Sequence, residues 1–117
     1  MNDILQKLKD RGCDMDQALE RMFGDEEFLL DLISQVLADP AFGALGDNLK
    51  KQDAAAAFDN AHTLKGICAN TGVTTLLNLV VELVEPLRAG NAENLDEKYE
   101  KLLSEKAKLE QILAGQS

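Results

Sequence analysis

The 117-residue sequence predicts an all-α fold, an antiparallel four-helix bundle with a short additional helix at the N-terminus. Apolar residues recur every three to four positions along most of the chain, which is typical of amphipathic helices. Helix start and stop signals divide this pattern into segments. The connections between the segments are short, which favours antiparallel neighbours in a bundle. The length suits a single domain over residues 1–117, with a core large enough to need no disulfide or metal.

Two helices are predicted in the first third of the chain. Asp14 can cap a short helix over 15–23, with Gln17 at the capping-box position and Gly24 as the stop. Asp25 can cap a second helix. Its apolar positions follow helical spacing and are Phe28, Leu29, Leu32, Ile33, Val36 and Leu37.

A weaker segment and a third helix follow. Asp39-Pro40 interrupts the second helix, because the residue before a proline is pushed out of the helical region. The next segment runs through Leu45 and Leu49, and two glycines loosen it. Asp53 is the expected N-cap of a third helix that extends to about Thr71, favoured by the four alanines after the cap and ended by a glycine.

A fourth helix is predicted to extend to about Ala89, where a glycine closes it. Thr74 or Thr75 can cap it, and Pro86 is expected to kink it or to end it early. Its valines would also suit a strand. We prefer a helix because four leucines repeat at helical spacing, namely Leu76, Leu79, Leu83 and Leu87.

The last predicted helix opens at Asn91 or Asn94 and ends at Gly115. Its apolar residues form a near-heptad stripe with Glu and Lys between them, namely Leu95, Tyr99, Leu102, Leu109 and Leu113. Such a stripe could also form the seam of a coiled-coil dimer. Three heptads are marginal for that purpose and the bundle already needs the stripe, so we expect a monomer.

The composition excludes several classes of function. The chain has 12 Lys and Arg against 21 Asp and Glu, a net charge of −9. Such an acidic protein is a poor candidate for binding nucleic acid or an anionic membrane surface, since both need clustered basic residues. One histidine and two distant cysteines cannot form a zinc site of the usual kind.

The same inventory indicates a cytoplasmic protein. The N-terminus has charges every few residues, so it contains no apolar secretory signal. The most apolar stretch, 76–84, is too short and too polar to span a bilayer. Cys13 and Cys68 are too few for a disulfide framework, which favours the reducing cytosol.

The residues that are candidates for a chemical function lie on the third predicted helix. At about 100° per residue, its core face is apolar or small and consists of Ala57, Ala61, Leu64, Cys68 and Thr71. His62 points away from this face, towards solvent. Its neighbours one and two turns along are Lys65, Gly66 and Ala69.

This exposed face suits the transfer of a small charged group between proteins. An exposed imidazole is a nucleophile and proton carrier near neutral pH. Lys65 can stabilise a phosphoryl group on that imidazole, and Gly66 clears space for another protein to approach. Glycine inside a helix costs about 1 kcal/mol of stability relative to alanine. A helix with a purely structural role would gain nothing in return for this loss.

A lone exposed histidine on a helix is most often an ordinary surface residue, because imidazole is well tolerated in water. His-x-x-Lys alone would occur by chance in many helices. The longer pattern, Ala61-His-x-Leu-Lys-Gly66 with a second glycine at the helix end, is much more specific.

With these residues in place, the sequence resembles the histidine phosphotransfer (HPt) domain family. The match covers essentially the whole chain and is strongest over 61–90. The residues that carry it are Ala61 to Gly66, Asn70, Gly72, Leu76, Leu79, Leu83, Arg88 and Gly90, together with Ala18 to Arg21 and Gly24 to Glu26 near the start.

The resemblance implies an antiparallel four-helix bundle and a set of roles. His62 would accept a phosphoryl group on Nε2 from a receiver-domain aspartate of a hybrid histidine kinase and pass it to a response-regulator aspartate. Lys65 would contact the phosphoryl oxygens and Gly66 would admit the receiver. The receiver would supply Mg²⁺, so this chain would need no cofactor and would act as a carrier without an ATP site of its own.

Two neighbours of His62 are candidates for contact with the partner protein, Phe58 one turn before it and Ala69 two turns after it. Phe58 suits a docking surface and the edge of the core equally well. Some family members place a glutamine on the next helix to hold the histidine ring. Here Val84 takes that position, with Glu82 and Glu85 nearby.

Two alternative functions remain open at this stage. The chain could be the phosphoacceptor domain of a larger chemotaxis-type or hybrid kinase, with an ATP-binding domain as the donor. It begins with Met1 and ends in Gly-Gln-Ser, which suggests a complete gene product, although a fragment could show the same ends. It could also be a helical adaptor that binds partners through the same face without being phosphorylated.

Overall fold

The computed structural model describes residues 1–115, which form helices and connecting turns without a strand. The prediction of an all-α fold is confirmed. Seven helices are present in this part of the chain: α1 (Asp3–Arg11), α2 (Met15–Arg21), α3 (Glu26–Leu37), α4 (Ala41–Lys50), α5 (Ala54–Asn70), α6 (Thr74–Arg88) and α7 (Asp96–Leu113).

Helix α1 is missing from the sequence-based prediction, which contained one short helix before α3 instead of two. The side chain of Asn2 caps α1, accepting hydrogen bonds from the backbone N–H groups of Ile4 at 2.7 Å and Leu5 at 3.3 Å. Gly12 ends the helix in the left-handed region, with φ of 118°. Leu5 and Leu8 are buried, which attaches α1 to the core.

Three aspartates cap helices as predicted. Asp14, Asp25 and Asp53 each accept a hydrogen bond from the backbone N–H three residues later, at 3.0 to 3.2 Å. A short carboxylate side chain at this position satisfies one of the free N–H groups of the first turn. These caps define the starts of α2, α3 and α5.

The capping box predicted for α2 is only half formed. The side chain of Gln17 accepts a hydrogen bond from Arg21 at 3.2 Å instead of reaching back to Asp14. The backbone N–H of Asp14 donates to the carbonyl of Gly72 at 2.8 Å, so it already has a partner. Helix α2 ends at Arg21, two residues before the predicted Phe23.

The segment predicted to be weakly helical is the regular helix α4. Asp39 interrupts the preceding helix as expected, and its side chain accepts a hydrogen bond from the N–H of Ala41 at 2.8 Å. Leu45 and Leu49 are buried in the core. Gly46 is buried too, against the ring of Tyr99. Tertiary packing therefore compensates for the low helix propensity of glycine here.

The stretch Glu26–Lys50, which spans α3 and α4, is long and apolar enough to cross a membrane by length and composition. The sequence-based prediction took 76–84 as the most apolar stretch and did not consider this one. The core helix of a soluble protein passes the same test. Leu29 and Ile33 of α3 and Phe42 of α4 lie in the buried core, and 39% of the apolar window is buried inside the protein.

The predicted threonine cap of α6 is wrong. Thr74 is the first helical residue, and Val73 precedes it without a side-chain cap. The Thr74 hydroxyl instead accepts a hydrogen bond from the N–H of Asp14 at 3.1 Å and donates to the Gly72 carbonyl at 3.2 Å. Pro86 does not end the helix, which continues to Arg88.

The start of α7 also differs from the prediction. Neither candidate asparagine caps it: the Asn91 side chain accepts a hydrogen bond from the N–H of Glu93 at 2.9 Å, and Asn94 adopts a left-handed φ of 59°. The helix begins at Asp96 after Leu95. Of the predicted stripe, Leu102 and Leu109 are completely buried, Leu95 is nearly so, and Tyr99 and Leu113 are half-buried.

Helix α5 lies between α4 and α6 and contacts both extensively. Helix α7 packs against α6 and also contacts α1, α3 and α4. This arrangement turns one face of α5 towards the core, and every residue predicted for that face is buried: Ala57, Ala61, Leu64, Cys68 and Thr71. The opposite face of α5 is left exposed, and it carries His62.

Candidate functional site

His62 lies near the middle of α5 with its side chain exposed, as predicted. The residues that flank it on the inner side, Ala61 and Leu64, are completely buried and hold the helix in place. Lys65 is half-buried one turn along the helix, whereas Gly66 and Ala69 are exposed. The structure therefore brings the predicted site residues together on one accessible surface.

The ring of His62 stacks on the ring of Phe58, one turn earlier in α5. The two ring centroids are 5.7 Å apart and the ring planes differ by 18°. This is an offset-stacked arrangement of the kind that stabilises aromatic pairs. Phe58 is half-buried and packs against the core with the rest of its side chain. It therefore belongs both to the core edge and to the surface around His62.

Arg88, the last residue of α6, packs on the same phenylalanine. Its guanidinium carbon lies 5.3 Å from the centroid of the Phe58 ring, within the range of a cation–π interaction. Glu85, one turn earlier, lies 3.9 Å from the Arg88 Nε. The stack thus joins the exposed face of α5 to the C-terminal end of α6.

The polar surroundings of His62 are sparse. None of the hydrogen bonds within residues 1–115 involves either nitrogen of its ring, and Val84 is completely buried. Glu82 accepts a hydrogen bond from Lys98 at 3.1 Å instead. Within the same residues, no carboxylate lies within 4.0 Å of the Lys65 ammonium group. An anion that arrived beside His62 would find this cation unpaired.

Gly66 borders open space. A Cβ added to it would meet nothing within 4 Å, so the packing of the chain does not require a glycine there. Beside it a groove of about 370 Å³ runs between α3 and α5, with Leu32, Val36 and Ile67 among its apolar lining residues. The surface on this side of His62 is accessible and partly apolar.

The comparisons with known proteins identify the family to which this arrangement belongs. Residues 3–115, nearly the whole chain, match the family model of the Hpt domain. The chain belongs to the Hpt domain family. Neither the curated proteins nor the solved structures gave a significant match. Hpt domains are phosphocarriers that take part in histidine phosphotransfer within two-component phosphorelays, and they interact with receiver domains.

The two cysteines of this Hpt domain lie away from its surface. Both Cys13 and Cys68 are free and buried. The pKa of the Cys68 thiol is raised to about 12. Burial is the main cause, and the charges of Cys13 and Asp39 contribute to the same rise. Within residues 1–115, no three His, Cys, Asp or Glu side chains gather as ligands for a metal ion.

Sequence reasoning predicted that His62, Lys65, Gly66 and Ala69 share one face of α5, and the structure has His62, Gly66 and Ala69 exposed and Lys65 half-buried. Sequence reasoning missed the contact between Arg88 and Phe58, because the two residues lie on different helices. The stacking of Phe58 on His62 had a sequence signal, since side chains four residues apart in a helix lie next to each other. The groove beside Gly66 had none, because α3 supplies half of it.

Proposed function

We propose that this Hpt domain accepts a phosphoryl group on His62 from a phosphorylated receiver-domain aspartate and passes it to the aspartate of a response regulator. The observation that carries the proposal is the grouping, on one face of α5, of the chain's single imidazole, a Lys65 that has no carboxylate partner among residues 1–115, and the open surface at Gly66. The donor that we favour is the receiver domain of a hybrid histidine kinase.

The proposed transfer moves one phosphoryl group and no proton between the two proteins. The lone pair of the neutral His62 imidazole, at Nε2, forms a bond to phosphorus while the bond from phosphorus to the aspartyl oxygen breaks. The aspartate leaves as a carboxylate, and the proton on the other ring nitrogen stays in place. Transfer to the regulator is the same exchange in reverse, with a regulator carboxylate as the nucleophile. No proton has to move between the two proteins.

Each neighbour of His62 has a proposed part in this exchange. The Lys65 ammonium balances the charge on the phosphoryl oxygens, an effect that is strongest when a docked partner excludes water. Gly66 leaves room for the receiver backbone, and Phe58 and Ala69 contribute to the surface on which the receiver docks. The receiver holds the Mg²⁺, so we expect no cofactor on this chain.

We further propose that the helices form the antiparallel four-helix bundle of the family, with α3 and α4 together as one member and α5, α6 and α7 as the others. The contacts of α5 with α4 and α6, and of α7 with α6, α4 and α3, support this arrangement. We expect residues 1–117 to act as one domain and to work as a monomer in the cytoplasm.

The proposal is tested by incubating the chain with receiver domains of its own organism that carry a radiolabelled phosphoryl group. We expect label that is labile in acid and stable in base, as for a phosphoramidate bond, and its loss in His62→Gln. Label that persists in His62→Gln would overturn the assignment. Label that appears only with a kinase ATP-binding domain would support the kinase-domain alternative, and binding without label would support the adaptor.

A second variant tests the role of Lys65. Lys65→Gln keeps a polar side chain of nearly the same length and removes its charge, so transfer from the receiver should slow by about 10-fold or more. Lys101→Gln, at an exposed position of α7, makes the same change in net charge away from α5 and serves as the control. Equal rates for the two variants would contradict a local role for Lys65.

A further inference from the structure

We propose that Phe58 is the residue that positions the His62 ring for phosphotransfer, and that Arg88 holds Phe58 in place. This inference rests on the proposed function, because it assigns a role in the reaction of His62. It starts from a pair of parallel rings one helical turn apart, 5.7 Å between centroids.

No polar side chain of α6 holds the His62 ring, so its orientation depends on the stack with Phe58. Val84 is buried and has no polar atom to offer, and Glu82 is engaged with Lys98 at 3.1 Å. Glu85 faces Arg88. Within the described chain no hydrogen bond holds either nitrogen of the imidazole, so the Phe58 ring supplies the contact that limits its rotation.

Stacking suits a nucleophilic imidazole for a simple geometric reason. The nitrogen lone pair and the N–H both lie in the plane of the ring, whereas Phe58 covers a face of the ring. The contact therefore restricts the ring plane and leaves both nitrogens free for a phosphoryl group and for solvent. A hydrogen bond from a side chain would instead occupy one of the nitrogens.

Arg88 supports the Phe58 ring from the neighbouring helix. Phe58 is half-buried and could move if nothing covered its exposed part. The guanidinium of Arg88, 5.3 Å from the ring centroid, packs on it from the end of α6. The extensive interface between α5 and α6 fixes the backbone of Arg88 relative to Phe58, whereas the Arg88 side chain itself is 53% exposed. Thus Arg88 of α6 packs on Phe58, and Phe58 stacks on His62.

The test uses three variants and one control. Phe58→Leu removes the ring and keeps an apolar side chain, Phe58→Tyr keeps the ring, and Arg88→Gln removes the cation. Phe28→Leu, at an aromatic residue of α3 that is 48% exposed, is the control for loss of a phenylalanine. All variants are compared at a temperature at which circular dichroism shows each to be folded.

The first readout is the proton NMR spectrum of the imidazole. His62 is the only histidine, so in protein without a histidine tag its ring protons give one set of signals. A stacked phenylalanine shifts these signals upfield. We expect the shift in the wild type, Phe58→Tyr and Phe28→Leu, its loss in Phe58→Leu, and a partial loss in Arg88→Gln.

The second readout is the rate of phosphorylation by two donors, a phosphorylated receiver domain and the small molecule phosphoramidate. In the latter reaction Nε2 forms a bond to phosphorus, and the bond from phosphorus to nitrogen breaks with release of ammonia. We expect Phe58→Leu to slow both reactions by about 2- to 10-fold, the range that corresponds to the energy of an aromatic pair. Phe58→Tyr should restore both rates.

The outcomes separate this inference from the proposed function. Absence of label on wild-type His62 with both donors would overturn the proposed function, whereas the NMR shifts would still report on the stack. Unchanged shifts and rates in Phe58→Leu would overturn the positioning role. A slower reaction with the receiver alone, at unchanged phosphoramidate rate, would also overturn it and make Phe58 a docking residue only.

Discussion

The ring of Tyr99, on α7, covers Gly46 of α4 so closely that a Cβ on the glycine would lie 2.5 Å from the phenolic oxygen. The hydroxyl of Tyr99 donates a 2.7 Å hydrogen bond to the carbonyl of Phe42, one turn before Gly46. The absence of a side chain at Gly46 is what lets the ring reach that carbonyl. Burial is the main cause that raises the pKa of Tyr99 above its ordinary value of 10.0.

Gly46→Ala should therefore destabilise the protein by about 1–2 kcal/mol. Alanine favours the helix by about 1 kcal/mol, but the Tyr99 ring must move and loses its hydrogen bond and part of its packing. Urea unfolding measures the difference. Gly43→Ala is the matched control in the same helix, because nothing lies within 4 Å of the added methyl group, and it should stabilise by about 0.5–1 kcal/mol.

A double-mutant cycle isolates the contact. In a Tyr99→Ala background no ring opposes the methyl group, so Gly46→Ala should become neutral or stabilising by up to about 1 kcal/mol. The same destabilisation in both backgrounds would show that the Tyr99 contact is not its cause.

Gly72→Ala should be more harmful, with a loss of about 2–4 kcal/mol in the free energy of unfolding. Gly72 has a φ of 73°, and an added Cβ would collide with the backbone carbonyl of Asp14, which cannot swing aside as a side chain can. Gly90→Ala is the control, because φ is 82° there but the space is open. It should show only the left-handed strain, about 1 kcal/mol. Equal losses would contradict the role of the collision.

The comparison of Gly43 and Gly46 shows why sequence reasoning underestimated α4. Propensity treats the two glycines as equal breaks, yet one is exposed and the other is the floor of a tertiary contact with α7. Nothing within residues 41–50 encodes that contact. Helix α5, in contrast, could be predicted with its correct core face, because its cap at Asp53 and its apolar spacing are local features.

The errors at the helix starts have a similar origin. Thr74 is a good cap by type, but its hydroxyl bonds instead to the backbone of Asp14 and Gly72, a junction between helices that are distant in sequence. In the candidate site, too, features within one helix could be predicted and contacts between helices could not. His62, Lys65 and Gly66 lie on one helix and were found from spacing, whereas the support from Arg88 comes from α6 and needed the structure.

Gly66→Ala separates stability from function. The added methyl group meets nothing within 4 Å, so the variant should be more stable by about 0.5–1 kcal/mol. The same methyl group would stand where we propose that the receiver approaches. We expect the ratio of the receiver rate to the phosphoramidate rate to fall by about 10-fold, since small displacements in a docked complex have large effects on rate. With Gly43→Ala the ratio should not change. An unchanged ratio in Gly66→Ala would remove the access role from Gly66.

The ion pair between Arg11 and Glu105 predicts a pH-dependent contribution to stability. The guanidinium donates two hydrogen bonds to the carboxylate, at 2.7 and 2.8 Å, and these are the main cause that lowers the pKa of Glu105 from its ordinary value of 4.5. A carboxyl group whose pKa is lower in the folded state adds stability above the ordinary value. That contribution disappears as the pH falls through the folded-state pKa.

Glu105→Gln should therefore be less stable than the wild type at pH 7, by about 0.5–1 kcal/mol for a pair that is partly solvent-screened. The difference should shrink as the pH falls below 4.5, as urea unfolding at several pH values will show. Glu110→Gln, at an exposed i,i+4 pair with Lys106, should show almost no difference at any pH. If the difference in the free energy of unfolding between Glu105→Gln and the wild type did not change with pH, packing and not the ion pair would be its cause.

Cys68 should be inert towards thiol reagents while the protein is folded. Its pKa of about 12 leaves roughly one thiol in 10,000 ionised at pH 8, and its side chain is completely buried. In Cys13→Ala, where Cys68 is the only thiol, reaction with an aromatic disulfide reagent should be at least about 1,000-fold slower in the native state than in denaturing urea, where the thiol has its ordinary pKa of 9.0. Ser104→Cys in a background that lacks both natural cysteines provides an exposed thiol that should react at once. Rapid native labelling of Cys68 would show that the core around α5 opens far more often than its packing implies, because the thiolate must reach solvent to react.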